Sequence, residues 1–306
     1  MPELPEVETI RSQLEPELIG RRIERLKVLD ERWSRPIAGG EVEGRVSGRR
    51  IESLARRGKY LLMALDGDDV LVMHLRMTGN LLLVNRGEPV AAVDDPEYEP
   101  SGEPRYLRAH FLLDDGRELW FTDARRFGEA FLLRGDAVEE RFRGRLGLEP
   151  LSEQFTAEAL GRIAAGRTVP LKSFLLDQAG IAGVGNIYAD EALFRARLHP
   201  LSPAGSMKKE HLEALRRGVV EALLAGIDGG GASIDDYRDA RGARGSMQDE
   251  FLVHRREGNP CPRCGTPIRR IVVAGRSTFY CPGCQVRLRK RPRRGRRGRS
   301  AATSSS

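Results

Sequence analysis

The sequence predicts an α+β protein whose strands and helices are segregated along the chain, ending in a small metal-bound module. Three observations carry this reading. One helical segment precedes eight short β-rich runs; the runs give way to helices after Pro150; and the four cysteines fall in two close pairs near the C-terminus. Runs of strands followed by runs of helices mark α+β rather than alternating α/β architecture.

Residues 2–19 read as a helix, because Val7, Ile10, Leu14 and Leu18 recur at helical spacing and Gly20 follows as a stop. Glu3, Glu6 and Glu8 crowd its first turn, where the helix dipole favours anions. Strands are expected at 22–29, 50–56, 59–66, 69–75, 80–84, 105–113, 117–122 and 129–134. Turn signals at Asp66-Gly67, Thr78-Gly79 and Asp115-Gly116 separate them, and together they describe a β-sandwich. Residues 85–104, rich in Pro, Glu, Asp and Gly, read as a long exposed loop. Helices follow at 156–165, 171–178, 186–196 and 208–226, interrupted by the glycine-rich stretch 180–186. Gly229-Gly230-Gly231 opens a polar, flexible connection over 232–249 to a cysteine module at 250–286. The Arg/Gly/Ser tail 287–306 is low in complexity and expected to be disordered. The units are thus 2–135, 136–231, 232–249, 250–286 and 287–306.

With 306 residues, 40% hydrophobic and 31% charged, most of the chain should fold. No stretch approaches 18 apolar residues and the first thirty lack a signal-peptide core, so neither a membrane span nor export is expected. The net charge of +7 is unevenly placed. Residues 287–306 carry nine Lys/Arg and no acid, whereas residues 1–240 sum to −7. This excludes a polycation of the histone type.

Cys261, Cys264, Cys281 and Cys284 form two C-x2-C pairs sixteen residues apart. Paired soft thiolates at this spacing can close a tetrahedron around one zinc ion, and a site made wholly of protein ligands is structural. Two disulfides or free thiols are the other reading. Between the pairs, residues 268–273 and 277–280 read as two strands joined at Ala274-Gly275-Arg276.

Four segments carry chemistry. Removal of Met1 would expose Pro2 as a secondary amine. At neutral pH roughly a tenth of a generic α-amino group is neutral and nucleophilic, against well under ~0.1% of a lysine. Glu3 beside it can move protons, although the segment by itself favours an ordinary Met-Pro start with helix-capping glutamates. Arg56-Arg57-Gly58-Lys59 opens a strand with three cations, suited to phosphate contact or proton donation, or simply to a solvated edge. Asp123-Ala124-Arg125-Arg126-Phe127-Gly128 sets two guanidinium groups beside an aromatic that could wedge between bases or fill a core, and Met77 stands at another turn. Gly183-Val184-Gly185-Asn186 precedes a helix, where main-chain N–H groups could bind phosphate and Asn186 could cap.

Taken together, residues 2 to about 286 resemble the formamidopyrimidine-DNA glycosylase family, also called DNA-(apurinic or apyrimidinic site) lyases. The segments that carry the resemblance are Met-Pro-Glu-Leu-Pro-Glu-Val-Glu-Thr, Arg-Arg-Gly-Lys-Tyr-Leu-Leu, Asp-x-Arg-Arg-Phe-Gly, Gly-Val-Gly-Asn-Ile-Tyr-Ala-Asp-Glu and the four-cysteine finger. The resemblance implies an N-terminal helix plus β-sandwich, a helical helix–two-turns–helix domain and a C-terminal β-hairpin zinc finger. It implies Pro2 as Schiff-base nucleophile, Glu3 as proton donor or acceptor, Lys59 as proton donor for β-elimination and Arg276 for δ-elimination. Met77, Arg125 and Phe127 would fill the gap left by an extruded nucleotide. Tyr106, Arg125 and Arg167 match DNA-contact positions, and Asn186 and Arg276 would hold the phosphate near the lesion.

The implied activity is removal of 8-oxoguanine and formamidopyrimidines from duplex DNA, then strand cleavage. The implied setting is a bacterial, cytoplasmic, nucleoid-associated monomer with one structural zinc and no redox or nucleotide cofactor. An endonuclease-VIII-type enzyme for oxidised pyrimidines and a non-catalytic zinc-finger DNA-damage binder are the competing readings. Leu4 stands against the former, which usually has glycine there. The chain departs from the family pattern at Arg76 (usually Gly), Tyr106 (commonly His), Ala124 (usually Pro), Met247 (usually Phe) and His254-Arg255-Arg256 (usually Tyr-Gly-Arg). These departures raise the expectation of altered wedge and hinge backbones.

Overall fold

The structure, a computed structural model, describes residues 1–85, 106–234 and 236–289. The loop expected over 85–104 and the tail expected over 287–306 therefore lie outside the described residues, apart from Asn85 and residues 287–289.

Helix α1 spans Leu4–Leu18 and buries Val7, Ile10, Leu14 and Leu18 completely or nearly so. It leads into β1 (Ile23–Val28), α2 (Gly39–Val46), β2 (Ile51–Arg57), β3 (Tyr60–Leu65), β4 (Asp69–His74), β5 (Gly79–Val84), β6 (Leu107–Leu113), β7 (Glu118–Asp123) and β8 (Glu129–Arg134). Two four-stranded antiparallel sheets result, ordered β1-β6-β7-β5 and β2-β3-β4-β8. Strict alternation of burial along β3, β6 and β7 reflects one face turned inward. Trp33, Met63, Leu71, Phe111 and Phe121 fill the space between the sheets, with the apolar stripe of α1 packed against them.

Sequence reading places every one of these strands but not α2. Its stretch Gly-Gly-Glu-Val-Glu-Gly-Arg-Val holds three glycines and looks like a loop. Burial of Val42 and Val46 against the sandwich core overrides that poor propensity.

The second half contains α3 (Ala137–Phe142), also unforeseen, then α4 (Ala157–Ala164), α5 (Leu171–Leu176), α6 (Asn186–Arg195) and α7 (Lys209–Asp228). Their core gathers Leu160, Phe174, Leu193, Leu215 and Leu223, and it also takes Leu4 from the start of α1. The first turn of α1 therefore belongs to one core and the rest to the other.

The segment after Gly231 is not the free connection expected. Ala232 and Ser233 donate backbone N–H groups to Glu6 and Gln248, Leu83 donates to the Ala240 carbonyl, and Tyr237 and Ala240 join the sandwich core. The hairpin β9 (Arg269–Val273) and β10 (Arg276–Tyr280) completes the fold. Its turn is the two residues Ala274 and Gly275, both at positive φ, the backbone that matches the twist of paired strands.

Candidate active site and nucleic-acid interface

Pro2 and Glu3 lie buried where the sandwich meets the helical domain. The Glu3 carboxylate serves its own helix, as the crowding of glutamates suggested, by forming a capping box with Glu6 at the start of α1, and it also reaches a second helix. It accepts the backbone N–H of Ile187 at 3.0 Å and approaches that of Tyr188 at 3.4 Å, so it caps the N-terminus of α6. This corrects the expectation of a phosphate at that helix start, because the carboxylate occupies the donors that would bind it. The glycines of Gly-Val-Gly serve the same docking. A Cβ on Gly185 would lie 2.2 Å from Glu3 Cδ, and one on Gly183, where φ is +84°, would lie 2.6 Å from a Leu4 methyl.

Glu6 is also buried. It accepts the Glu3 amide at 2.7 Å, the Tyr188 hydroxyl at 2.6 Å and the Ala232 amide at 2.8 Å, which ties α1, α6 and the 232–249 segment together. Burial and the neighbouring Glu3 charge push its pKa above the ordinary carboxylate value, against these hydrogen bonds.

Lys59 occupies the turn between β2 and β3 rather than opening a strand, and it is buried. Burial lowers its pKa, the Glu3 and Glu6 carboxylates oppose this, and the Arg276 charge reinforces it. The amine is thus shifted toward a neutral form within the field of the other groups assigned to the reaction. Arg56 and Arg57, grouped with Lys59 on sequence, take no part. Arg56 pairs with Glu8 at 2.8 Å and with Glu149 at 2.9 Å; Arg57 pairs with Glu149 at 2.8 Å and binds the Leu146 and Gly147 carbonyls. They fasten the sandwich to the second domain.

The wedge candidates share the rim that carries Lys59. Antiparallel register places Tyr60 opposite His74 and His74 opposite Glu129, so the β2–β3, β4–β5 and β7–β8 turns project from one end of the sheet. Met77, Tyr106 and Phe127 are exposed there, Phe127 by 51%, and the Arg125 guanidinium lies 5.0 Å from the Phe127 ring centre. Buried Asp123 holds the turns together by accepting from the Thr78 hydroxyl and from the Gly128 and Arg125 amides. Tyr106 reaches the same place, since its carbonyl accepts the Asp123 amide.

Arg126 departs from the pairing of guanidinium groups that sequence suggested. It makes a two-pronged ion pair with Asp30 and is structural. Arg76 takes φ +55°, a left-handed backbone of the kind glycine favours. A glycine-like turn thus persists despite the substitution, and Arg76 closes it with an ion pair to Glu129. At the hinge, Met247 is fully buried and packs against Gly229.

Asn186 is the first residue of α6, with Gly185 as the cap, so it does not cap the helix as expected. Its side-chain amide instead donates to the Ser277 carbonyl at 3.1 Å and holds β10 against the helix, bringing exposed Arg276 to the junction. Arg167 lies apart, pairing with Asp177 at 2.7 Å. The four cysteine Sγ atoms lie within 4.8 Å of one another. Zinc–sulfur bonds of about 2.3 Å in a tetrahedron put sulfurs about 3.8 Å apart. The observed Cys261–Cys284 and Cys264–Cys281 separations of 3.9 and 3.4 Å fit one structural zinc.

Sequence reasoning missed Glu6, Tyr188 and the buried chain Lys172–Asp190–His254. Lys172 and His254, each preceded by apolar residues, carried the one local signal. No described helix is long and apolar enough to cross a membrane.

Comparison with known proteins shows the family and the fold. Family models for the formamidopyrimidine-DNA glycosylase N-terminal domain, the formamidopyrimidine-DNA glycosylase H2TH domain, and the zinc finger found in FPG and IleRS match residues 1–130, 146–238 and 258–286. The formamidopyrimidine-DNA glycosylase of Chloroflexus aurantiacus is 43% identical over 294 residues, covering 95% of this chain and 99% of its own. The Thermus thermophilus MutM (FPG) structure superposes with a TM-score of 0.78 at 43% identity, over 93% of this chain and 98% of that one. The Lactococcus lactis Fpg complex with abasic-site DNA gives 0.82 at 32% identity, over 93% and 100%. The chain belongs to the formamidopyrimidine-DNA glycosylase family.

Proposed function

We propose that this protein acts in base-excision repair by forming a Schiff base between Pro2 and a damaged nucleotide of duplex DNA, with oxidised purines as its lesions. The family activity is that of a DNA glycosylase with an abasic-site lyase. The observation that most supports the reading is the seating of Pro2-Glu3 at the domain junction, with buried Lys59 in the field of Glu3, Glu6 and Arg276.

The chemistry follows from the groups present. A target C1′ is out of reach inside the duplex, so the nucleotide is extruded, at a cost of a few kcal/mol. Met77 and Phe127, which are exposed, and Arg125, which rests on the Phe127 ring, fill the vacated stack and offset that cost. With Met1 removed, the neutral Pro2 nitrogen attacks C1′ and the base departs with the bonding electrons and a proton. Glu3 delivers a proton to O4′ as the C1′–O4′ bond breaks and the Pro2 nitrogen loses its proton, which opens the sugar ring to an iminium. The resulting iminium acidifies C2′, and loss of that proton expels the 3′ phosphate. A second elimination expels the 5′ phosphate, leaving a one-nucleotide gap. Lys59 supplies the proton for the first elimination and Arg276 assists the second. The second amide hydrogen of Asn186 and the Arg276 guanidinium hold the phosphate, while Tyr106 and Arg167 contact backbone further out. The zinc shapes the hairpin that carries Arg276. The protein works as a monomer on DNA in the bacterial cytoplasm.

Duplexes containing 8-oxoguanine opposite cytosine should be cut faster than duplexes containing thymine glycol. The reverse order would favour the oxidised-pyrimidine reading. Binding to abasic DNA with no cleavage at all would favour the non-catalytic one.

A further inference from the structure

Lys172 and Asp190 are fully buried, and their charges are joined by a 2.6 Å ion pair. Such a pair is a weak source of stability, so its placement is the more informative property. The Lys172 ammonium donates to Asp190 Oδ1 and, also at 2.6 Å, to the Asn186 carbonyl. The remaining carboxylate oxygen, Asp190 Oδ2, lies 2.8 Å from His254 Nδ1. The adjacent Glu191 carboxylate accepts the Leu252, Val253 and His254 amides, so the backbone that carries this histidine is wrapped onto α6. The His254 ring meets Phe279 edge-on at 5.2 Å, and Phe279 stands on β10 three residues beyond Arg276.

Strand β10 is therefore held to α6 at two points. Near its start, Asn186 binds the Ser277 carbonyl; near its end, His254 packs on Phe279. Lys172 and Asp190 join the two points into one buried chain. The Asn186 end lies beside the Glu3 cap of α6, whereas the His254 end contacts Asp190, Phe251 and Phe279 and bears on the strand of which Arg276 is the first residue.

We infer that His254, oriented by Asp190, is a positioning residue that sets the register of β10 and so governs the second, δ-elimination step without governing Schiff-base formation. The inference rests on the proposed reading of Pro2 and Arg276. A hydrogen-bonded ring buried between a carboxylate and an aromatic has one permitted orientation, which a hydrophobic replacement would not enforce. Misplacing a reacting group by about 1 Å can cost a hundredfold in rate.

The test follows single-turnover cleavage of abasic duplex DNA by the zinc-loaded full-length protein. It resolves β- from δ-products and runs borohydride trapping in parallel. His254→Phe keeps a ring against Phe279 but offers Asp190 no donor; His254→Asn keeps a donor in the Nδ1 position without the ring. Both should retain zinc and trap at the wild-type rate. In both, the ratio of δ- to β-product should fall by about tenfold or more, and removing both features in His254→Ala should lower it at least as far. An unchanged ratio in variants that trap normally would overturn the inference while leaving the Schiff-base reading intact. A loss of trapping proportional to the loss of δ-product would overturn it too, by showing a general structural role. Absence of trapping in the wild-type protein would instead remove the reading on which the inference rests.

Discussion

The carboxylate of Glu3 lies 3.0 Å from the amide nitrogen of Ile187, a residue 184 positions later in the chain. This contact fixes the residue beside the N-terminal nucleophile to the start of a helix in another domain. It gives the Gly-Val-Gly motif a reason other than phosphate binding, and it makes the position of Pro2 depend on both cores.

Gly185→Ala is the direct test of that dependence. The added methyl would lie 2.2 Å from Glu3 Cδ, so the carboxylate must leave the α6 N-terminus. The variant should keep its zinc and its affinity for undamaged DNA. Single-turnover cleavage of abasic DNA should slow by about a hundredfold, the size expected from a displacement near 1 Å.

Glu6 gives the fold a pH dependence of definite sign. Its folded pKa is raised above 4.5 by burial and by Glu3, so its contribution to stability is fully present below that value. That contribution is lost as pH rises through the folded pKa, because ionising a buried acid then opposes folding. Thermal melts of the wild type and of Glu6→Gln, taken from acid to neutral pH, should show the wild type losing stability relative to the variant. Parallel curves would contradict this assignment.

Phe127 and Arg126, neighbours in the β7–β8 turn, should separate cleanly. Phe127 is exposed and Arg125 rests on its ring, so Phe127→Ala should alter stability by no more than about 0.5 kcal/mol. The same change should weaken binding to lesion-containing duplex by about 1–3 kcal/mol. Arg126→Ala leaves Asp30 without its two-pronged partner and should lower the melting temperature instead. Melting curves and binding isotherms on both variants check the contrast.

Seven Lys/Arg residues lie between 290 and 306. Their removal should flatten the dependence of log binding constant on log salt by about 0.9 for each phosphate the tail neutralises. The cut belongs after Arg289 rather than after Val286. The Val286 amide and carbonyl bond to Arg197 and His199, and the Leu288 amide donates to Ser202. An unchanged slope would remove the tail from DNA binding.

How much of this was legible in the sequence depends on the range of the physics involved. Strands with period-two burial and the apolar stripe of α1 are local patterns, and their positions follow from residue order alone. The cysteine pairs were equally plain, because metal geometry constrains spacing. The resemblance supplied the roles of Pro2, Lys59 and Arg276. What sequence could not supply was the partner of each charge. Arg56, Arg57 and Lys59 are neighbours in sequence, yet two are used up by Glu149 and only the third enters the site. Glu3 reads as a local cap until α6 is seen to start against it. Arg76 takes a φ of +55°, a left-handed backbone that nothing in its own side chain predicts.

The central claim is that the N-terminal amine of Pro2 bonds to C1′ of the extruded nucleotide. The most direct measurement is borohydride reduction of the Met1-free protein on a duplex with one abasic site, followed by digestion and mass mapping of the adduct. The account requires the sugar on the N-terminal peptide, at Pro2, and no adduct when that amine is acetylated or still carries Met1. An adduct mapped to Lys59, or undiminished trapping after acetylation, would contradict it.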